Sequence, residues 1–318
     1  MRVGLVLGAG GVVGAAYHAG ALTALENDLG WDVRTADVIV GTSAGALTGA
    51  LLRSGIPPSD LAAWTVGAPL SPDGVPIENM LHPEFDPVSL RMFLRLPRVP
   101  HPNAVIRTLR HPHRFDPLRA LMTHMRDGER SLADHLEFLG SGWPERDLYV
   151  TACRRRDGHR TVFGRSFVPR DGLRAAVAAS CAVPGYFAPV VVDGTSYIDG
   201  GIASPTNADV LRDCDLDLLI VLSPMSTSAR LPRYSAERIV RDRAGHRLHR
   251  ERRIYERLGV PVVVLEPGPE VLENVTADFM SEDHVHDIVR TSFLETGSQL
   301  RTAELQDALR PVARRPVA

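Results

Sequence analysis

The chain contains no lysine; all 36 of its Lys+Arg positions are arginine. Against 38 Asp+Glu they leave a formal net charge of −2. No global basic field therefore draws in nucleic acid, and none is expected as a partner. Cysteine is scarce. Cys153, Cys181 and Cys214 are odd in number and scattered, which excludes a disulfide framework and a CxxC metal pair and fits a reducing compartment. Long apolar runs are missing as well: no stretch approaches the roughly 20 residues that span a bilayer. At the N-terminus only Arg2 precedes the apolar run Val3–Leu7, and glycines follow at once, unlike a signal peptide. A cytoplasmic protein is expected, meeting lipid from the water side by transient contact with a membrane surface.

What is present is ordinary in bulk. Hydrophobic residues make up 44% and charged residues 23%, the balance of a folded globular protein. A chain of 318 residues suits one single-core α/β domain near the top of its size range, and nothing in it fixes an oligomeric state. Strand, glycine turn, helix occurs twice early on. Val3–Leu7 leads into glycines and helical spacing over 15–25; an apolar run at 37–40 ends at Gly41 and leads into a helix over 44–52. That pattern predicts parallel strands joined by crossover helices.

Residues 57–143 break the pattern. They hold the pairs His82-Pro83, His101-Pro102 and His111-Pro112 and the apolar stretch Met92-Phe93-Leu94. The segment reads as a cap or lid inserted into the domain, or else as plain connecting helices. Strands return at 148–153 and 161–163, with a helix over 172–179. Val190–Val192 and 197–198 read as a hairpin around Asp193-Gly194, a strong turn dipeptide. Leu218–Leu222 and Val262–Leu265 are continuous apolar runs, as in buried parallel strands. An arginine-rich helix is expected over 237–258 and a closing helix over 289–309.

Three short motifs can carry chemistry. Gly41-Thr42-Ser43-Ala44-Gly45 fits the nucleophile elbow G-x-S-x-G, with a strand before it and a helix after it. Such a turn lifts the serine to the sheet edge at a helix N-terminus, where negative charge is favoured. The plainer alternative is a helix-capping serine. Gly8-Ala9-Gly10-Gly11-Val12-Val13-Gly14 is a glycine-rich strand-to-helix turn that presents backbone N–H groups to a small space. A dinucleotide fingerprint fails, because the sixth residue from Gly8 is Val13, and a phosphate-binding P-loop fails for want of G-K-[ST]. An oxyanion hole or a turn without a ligand remains. The third motif is Asp199-Gly200-Gly201. Unlike Asp73, Asp127, Asp157, Asp171 and Asp193, which also precede glycine, Asp199 directly ends an apolar strand. Its carboxylate could take a proton from Ser43 if the two lie within hydrogen-bond reach.

In this order, glycine loop, G-x-S-x-G and D-G-G, the chain resembles the patatin-like phospholipases. The segment Ala179-Ser180-Cys181-Ala182-Val183-Pro184-Gly185-Tyr186-Phe187 is also similar to the A-S-x-x-x-P-x-x-F segment that precedes the aspartate in that family. The resemblance covers residues 2–55 and 147–225 and leaves out 57–143. It implies a three-layer α/β/α fold on a mostly parallel sheet and a Ser-Asp dyad that needs no histidine, cofactor or metal. It implies hydrolysis of lipid acyl esters through an acyl-enzyme. Carried over by position, Ser43 is the nucleophile and Asp199 its base and later the activator of water. The N–H groups of Gly10 and Gly11 would hold the oxyanion with Ala44 as a further donor, and Gly8 and Gly14 would shape the loop. One departure stands out: the family usually has Arg or Lys just before the last glycine of the loop, where this chain has Val13.

Rival readings use nearby residues. His18, four residues past Gly14, could pair with Ser43 or simply pack behind the loop. His284 and His286 come late, as in α/β-hydrolases, but no strand end leads into them. His111 and His113 lack a carboxylate or Cys partner at ligand spacing, so no metal is expected. The segment containing Arg243, Arg247, Arg250, Arg252, Arg253 and Arg257 could touch anionic lipid, but Glu251 and Glu256 interleave it as on a solvated, salt-linked face. Acyl transfer through the same Ser43 intermediate, and a non-catalytic lipid-binding module, are the alternatives to hydrolysis.

Overall fold

The computed structural model describes residues 1–77, 122–123, 125, 127–128, 130–231, 236–275 and 278–313. The first strand, β1 (Val3–Leu7), has no polar residue and is buried throughout. It needs cover on both faces. The long helix α1 (Gly11–Leu29) follows, ended by Gly30 in the left-handed region with φ 59°. Next come β2 (Val38–Thr42), α2 (Ala44–Arg53) and α3 (Pro58–Thr65). Beyond residue 130 the chain runs through β3 (Asp147–Arg154), β4 (Arg160–Phe163), α4 (Gly172–Ser180), β5 (Val190–Val192) and β6 (Thr195–Asp199). It ends with β7 (Leu218–Leu222), α5 (Ala236–Leu258), β8 (Val262–Leu265), α6 (Pro269–Glu273), α7 (Val285–Leu300) and α8 (Ala303–Leu309).

Among the described residues the strands form one sheet in the order β5-β6-β3-β2-β1-β7-β8, with β4 also on β3. The run β3-β2-β1-β7-β8 is parallel, and β4, β5 and β6 are added antiparallel. The central sheet is thus mixed, with a parallel heart. Side chains alternate across it. Val3, Leu5 and Leu7 join one apolar cluster with Leu22 of α1, Ala46 of α2, Val177 of α4 and Ile288 of α7. Val6, Val38, Val40 and Val221 join a second cluster with Leu248 and Tyr255 of α5. Helices on both faces make the three-layer α/β/α architecture expected. The chain winds away from β1 toward β2 and, later, toward β7. Beyond the carboxyl ends of these strands lies a topological switch point, the usual crevice for a ligand in such sheets.

Three local outcomes differ from, or refine, the sequence reading. The hairpin turns at Asp193 and Gly194 with φ 46° and 77°, as a two-residue turn requires. The expected closing helix is two helices. The Thr302 hydroxyl donates to the Gln299 carbonyl at 2.8 Å and Thr302 itself is extended, which splits α7 from α8. Glu251 is not on a solvated face: it is buried and accepts from the Thr206 hydroxyl at 2.5 Å and the Ala208 N–H at 2.9 Å. Its neighbours do link across the helix surface, Arg238 with Asp242 at 3.3 Å and Arg252 with Glu256 at 3.1 Å. Of the 57–143 segment, α3 packs on α1, and the turn Ala133–Leu139 packs on α4. His82, Met92, Phe93, Leu94, His101, His111 and His113 lie outside the described residues. No described helix is long and apolar enough to cross a membrane.

Candidate active site

Ser43 stands between β2 and α2 with φ 54° and ψ −121°. A residue with a Cβ holds such a conformation at a cost of about 1–3 kcal/mol and only under firm support. The support is explicit. Ser43 N–H donates to Ser180 Oγ at 2.9 Å, and Ser180 Oγ donates to the Thr151 carbonyl at 2.7 Å. Behind the elbow, Thr42 Oγ1 and Thr151 Oγ1 are hydrogen-bonded at 2.9 Å, and Asn207 Nδ2 lies 3.1 Å from the first and 3.2 Å from the second. The Ser43 side chain does not cap α2, and α2 has no acidic residue in its first turn. The capping-serine alternative therefore falls.

Gly45 explains why the elbow needs its second glycine. A Cβ there would lie 1.9 Å from the Leu7 carbonyl oxygen and 2.8 Å from that of Gly8. The start of α2 thus rests directly on the end of β1, bringing the serine elbow against the glycine loop. Gly45→Ala is expected to push these apart and prevent a stable native fold, seen as loss of soluble protein or of a cooperative melt. A variant melting near wild type would show that the contact is not required.

The glycine loop is fixed at its ends and open in its middle. Gly8 N–H donates to the Leu222 carbonyl at 3.0 Å, Ala9 to Pro205 at 2.8 Å, Val13 to Phe279 at 3.2 Å and Gly14 to Gly10 at 2.8 Å. The N–H groups of Gly10, Gly11 and Ala44 donate to no acceptor among the described residues. Helix α1 also starts without a capping side chain or an acidic first turn. Two helix N-termini with open donors therefore flank Ser43, the arrangement that suits an incoming negative charge. Gly11 has φ 59°, and a Cβ there would meet the Phe279 carbonyl oxygen at 2.4 Å. Gly14 is less constrained, its nearest neighbour standing 3.5 Å from a built Cβ.

Asp199 ends β6, paired with Ala152 of β3, and its N–H donates to the Ala182 carbonyl at 3.0 Å. Oδ1 accepts from Gly201 N–H at 2.6 Å, while Oδ2 is buried with no hydrogen-bond partner. Burial pushes the carboxyl up to about 6, and the Ser43 hydroxyl and the Gly201 N–H pull it part of the way back. Ser43 and Asp199 thus sense each other, although the free protein holds no well-formed hydrogen bond between them. Catalytic contacts commonly tighten only around substrate. Gly201 lies against the glycine loop: a Cβ built on it would be 3.3 Å from Ala9 Cβ. Gly200 abuts Thr151, whose carbonyl oxygen would stand 2.2 Å from a Cβ there.

The segment 179–187 also has a part in the structure. Ser180 holds the backbone of Ser43 and Ala182 that of Asp199, so one short segment positions both residues. Cys181 between them is buried. Burial, followed by the nearby Asp199 charge, pushes its thiol up, and the Ser43 hydroxyl opposes this. Asn207 belongs to none of the sequence motifs. This fully buried residue has φ 51° and donates to the Gly200 and Ser204 carbonyls at 3.4 and 2.5 Å, tying the aspartate loop to the elbow. His18 does not join the site. It is buried behind the loop, its Nδ1 3.4 Å from Thr48 Oγ1, and burial lowers its pKa to about 3, so it is neutral. His284 is exposed at the start of α7, beside Asp287.

The chain is thus an α/β protein with a mixed central sheet between layers of helices and a serine on a strained strand-to-helix turn. The family model described as patatin-like phospholipase matches residues 5–212, most of the chain. The chain belongs to the patatin-like phospholipase family. Solved structures similar to it include VipD and ExoU. VipD from Legionella pneumophila is 13% identical with a TM-score of 0.42, the match covering 94% of this chain and 66% of that one. The type III effector protein ExoU is 17% identical with a TM-score of 0.34, covering 94% of this chain and 53% of that one. This chain therefore spans less than two thirds of either protein.

Proposed function

We propose that the protein is a serine esterase of the phospholipase or lysophospholipase type, working through a Ser43–Asp199 dyad. The observation that carries this reading is the buried Asp199 Oδ2, without a partner, beside a serine held in a strained conformation between two open helix N-termini. In the reaction, Ser43 Oγ attacks the ester carbonyl carbon and its proton passes to Asp199. The carbonyl oxygen becomes an oxyanion, held by the N–H groups of Gly10 and Gly11 with Ala44 as a further donor. Collapse breaks the bond to the leaving alkoxide, which takes the proton from Asp199, and leaves an acyl ester on Ser43. Water then gives a proton to Asp199 and attacks the acyl carbon. The second collapse returns a proton to Ser43 and frees the fatty acid.

A carboxyl near 6 suits this work, because a base is most effective when its pKa lies near the working pH. The substrate is a lipid or other acyl ester, reached from the water side of a membrane surface. Incubation with a fluorophosphonate should label Ser43 stoichiometrically, and incubation with a phospholipid should release free fatty acid. Acyl groups appearing on an added lysolipid instead of water would replace hydrolysis by acyl transfer. A folded protein that takes no label would replace it by a lipid-binding module.

A further inference from the structure

The glycine loop that would hold the oxyanion has no side chain with which to hold itself. Residues 8–14 are glycine, alanine and valine, and Val13 is buried in the core. Besides the backbone bonds to Leu222 and Pro205 at its start, two residues press on it from outside. Pro224, just past β7, stands with Cβ 3.0 Å from a Cβ built on Gly10 and 3.5 Å from one built on Gly14, and with Cδ 3.2 Å from one built on Gly8. Phe279 accepts the Val13 N–H at 3.2 Å, and its carbonyl oxygen presses on Gly11.

Both of these residues are gripped by Arg241 of α5. Its side chain is 1% exposed. Nη1 donates to the Pro224 carbonyl at 2.9 Å, the guanidinium lies 5.4 Å from the centre of the Phe279 ring, and Nε donates to Glu237 at 2.7 Å. Nη2 is buried with no partner. A buried cation with a donor to spare is a costly way to fill space, and an apolar side chain of like size would pack at less expense. A planar fork that binds a carbonyl while stacking on a ring is, however, what arginine offers and lysine does not. Arg241, Pro224 and Phe279 all lie beyond the residues 5–212 that match the family.

We propose that Arg241 is a positioning residue: by clamping Pro224 and Phe279 it fixes the glycine loop so that the Gly10 and Gly11 N–H groups aim at the oxyanion. The inference rests on the reading of those groups as the oxyanion hole. A displaced donor would weaken the transition state more than the bound ester, so the effect falls on kcat. In the full chain, Arg241→Met is expected to lower kcat for a nitrophenyl acyl ester by about 10- to 100-fold, with KM within about threefold. Labelling of Ser43 by a fluorophosphonate should slow by the same factor. Arg241→Lys, which keeps the charge but not the fork, should recover part of the loss.

Leu248→Ala removes a buried side chain from the same helix, away from the loop. It should lower Tm yet keep kcat, which separates positioning from general stability. If Arg241→Met does not fold, Phe279→Leu, which takes away only the ring, should lower kcat in the same direction. A wild-type kcat in the Met variant, or in Phe279→Leu where Met does not fold, would overturn the proposal. So would a kcat loss in Leu248→Ala matching that of the Met variant at equal loss of Tm. Ser43→Ala distinguishes the two levels. If it is inactive and Arg241→Met is not impaired, only the clamp is wrong; if it stays active, the active-site reading itself fails.

Discussion

Ser43→Ala should lower ester hydrolysis about ten-thousandfold or more, because among the described residues neither neighbouring Ser180 nor Cys181 is set to replace the nucleophile. Ser180 is committed to Thr151 and to the backbone of Ser43, and the Cys181 thiol is held protonated by burial. The same position allows a second measurement. Ser43 sits at φ 54° and ψ −121°, and alanine inherits that strain because it keeps the Cβ. Glycine does not. Ser43→Gly should be equally inactive but more stable than Ser43→Ala by about 1 kcal/mol, since relief of strain outweighs the added freedom of the unfolded chain. Thermal melts of the two variants, beside a nitrophenyl ester assay, check both parts. More than about a hundredth of wild-type activity in Ser43→Ala would put the nucleophile elsewhere.

Asp199→Asn should abolish hydrolysis and raise the melting temperature at neutral pH. The carboxyl titrates at about 6 in the fold and at about 3.9 in the unfolded chain. A raised value means that the folded state prefers the protonated form. Its contribution to stability is fully present below about pH 4 and is lost as the pH rises through about 6. Above that the wild type keeps a buried carboxylate at a cost on the order of 3 kcal/mol, which the isosteric, uncharged asparagine removes. Melts from acid to neutral pH should coincide below about pH 4 and separate above about 6, with the variant higher. Over the same range, wild-type kcat/KM should fall about tenfold for each pH unit below about 6, because the base must be ionised to accept a proton. An Asn variant that melts lower than wild type at pH 8, or one that hydrolyses esters at the wild-type rate, would remove Asp199 from this role.

Much of the candidate site is legible in the sequence because its demands are local. An elbow needs glycines beside a serine between a strand and a helix, and the five residues 41–45 carry all of that. The hairpin at Asp193-Gly194 was legible for the same reason, since its two positive φ values belong to adjacent residues. Glu251 was misread because periodicity placed it among arginines that do face solvent. What decides its burial is Thr206 and Ala208, which reach it from across the fold.

Residue order alone sufficed for the parallel strand-turn-helix units, the strained serine, the glycine-rich loop and the order of the motifs. Each of these follows from backbone geometry within a few consecutive residues. The tertiary contacts show other uses for three of the other Asp-Gly aspartates: Asp193 makes a hairpin turn, Asp157 pairs with Arg154, and Asp171 precedes α4. Only the tertiary structure showed that His18 packs against Thr48, that Ser180 holds the elbow across 137 residues, and that Asn207 reaches Thr42 across 165. The physical reason is the same in every case. Burial, pKa and hydrogen-bond partnership are set by which segments the sheet brings together, and a linear pattern contains no distance between them.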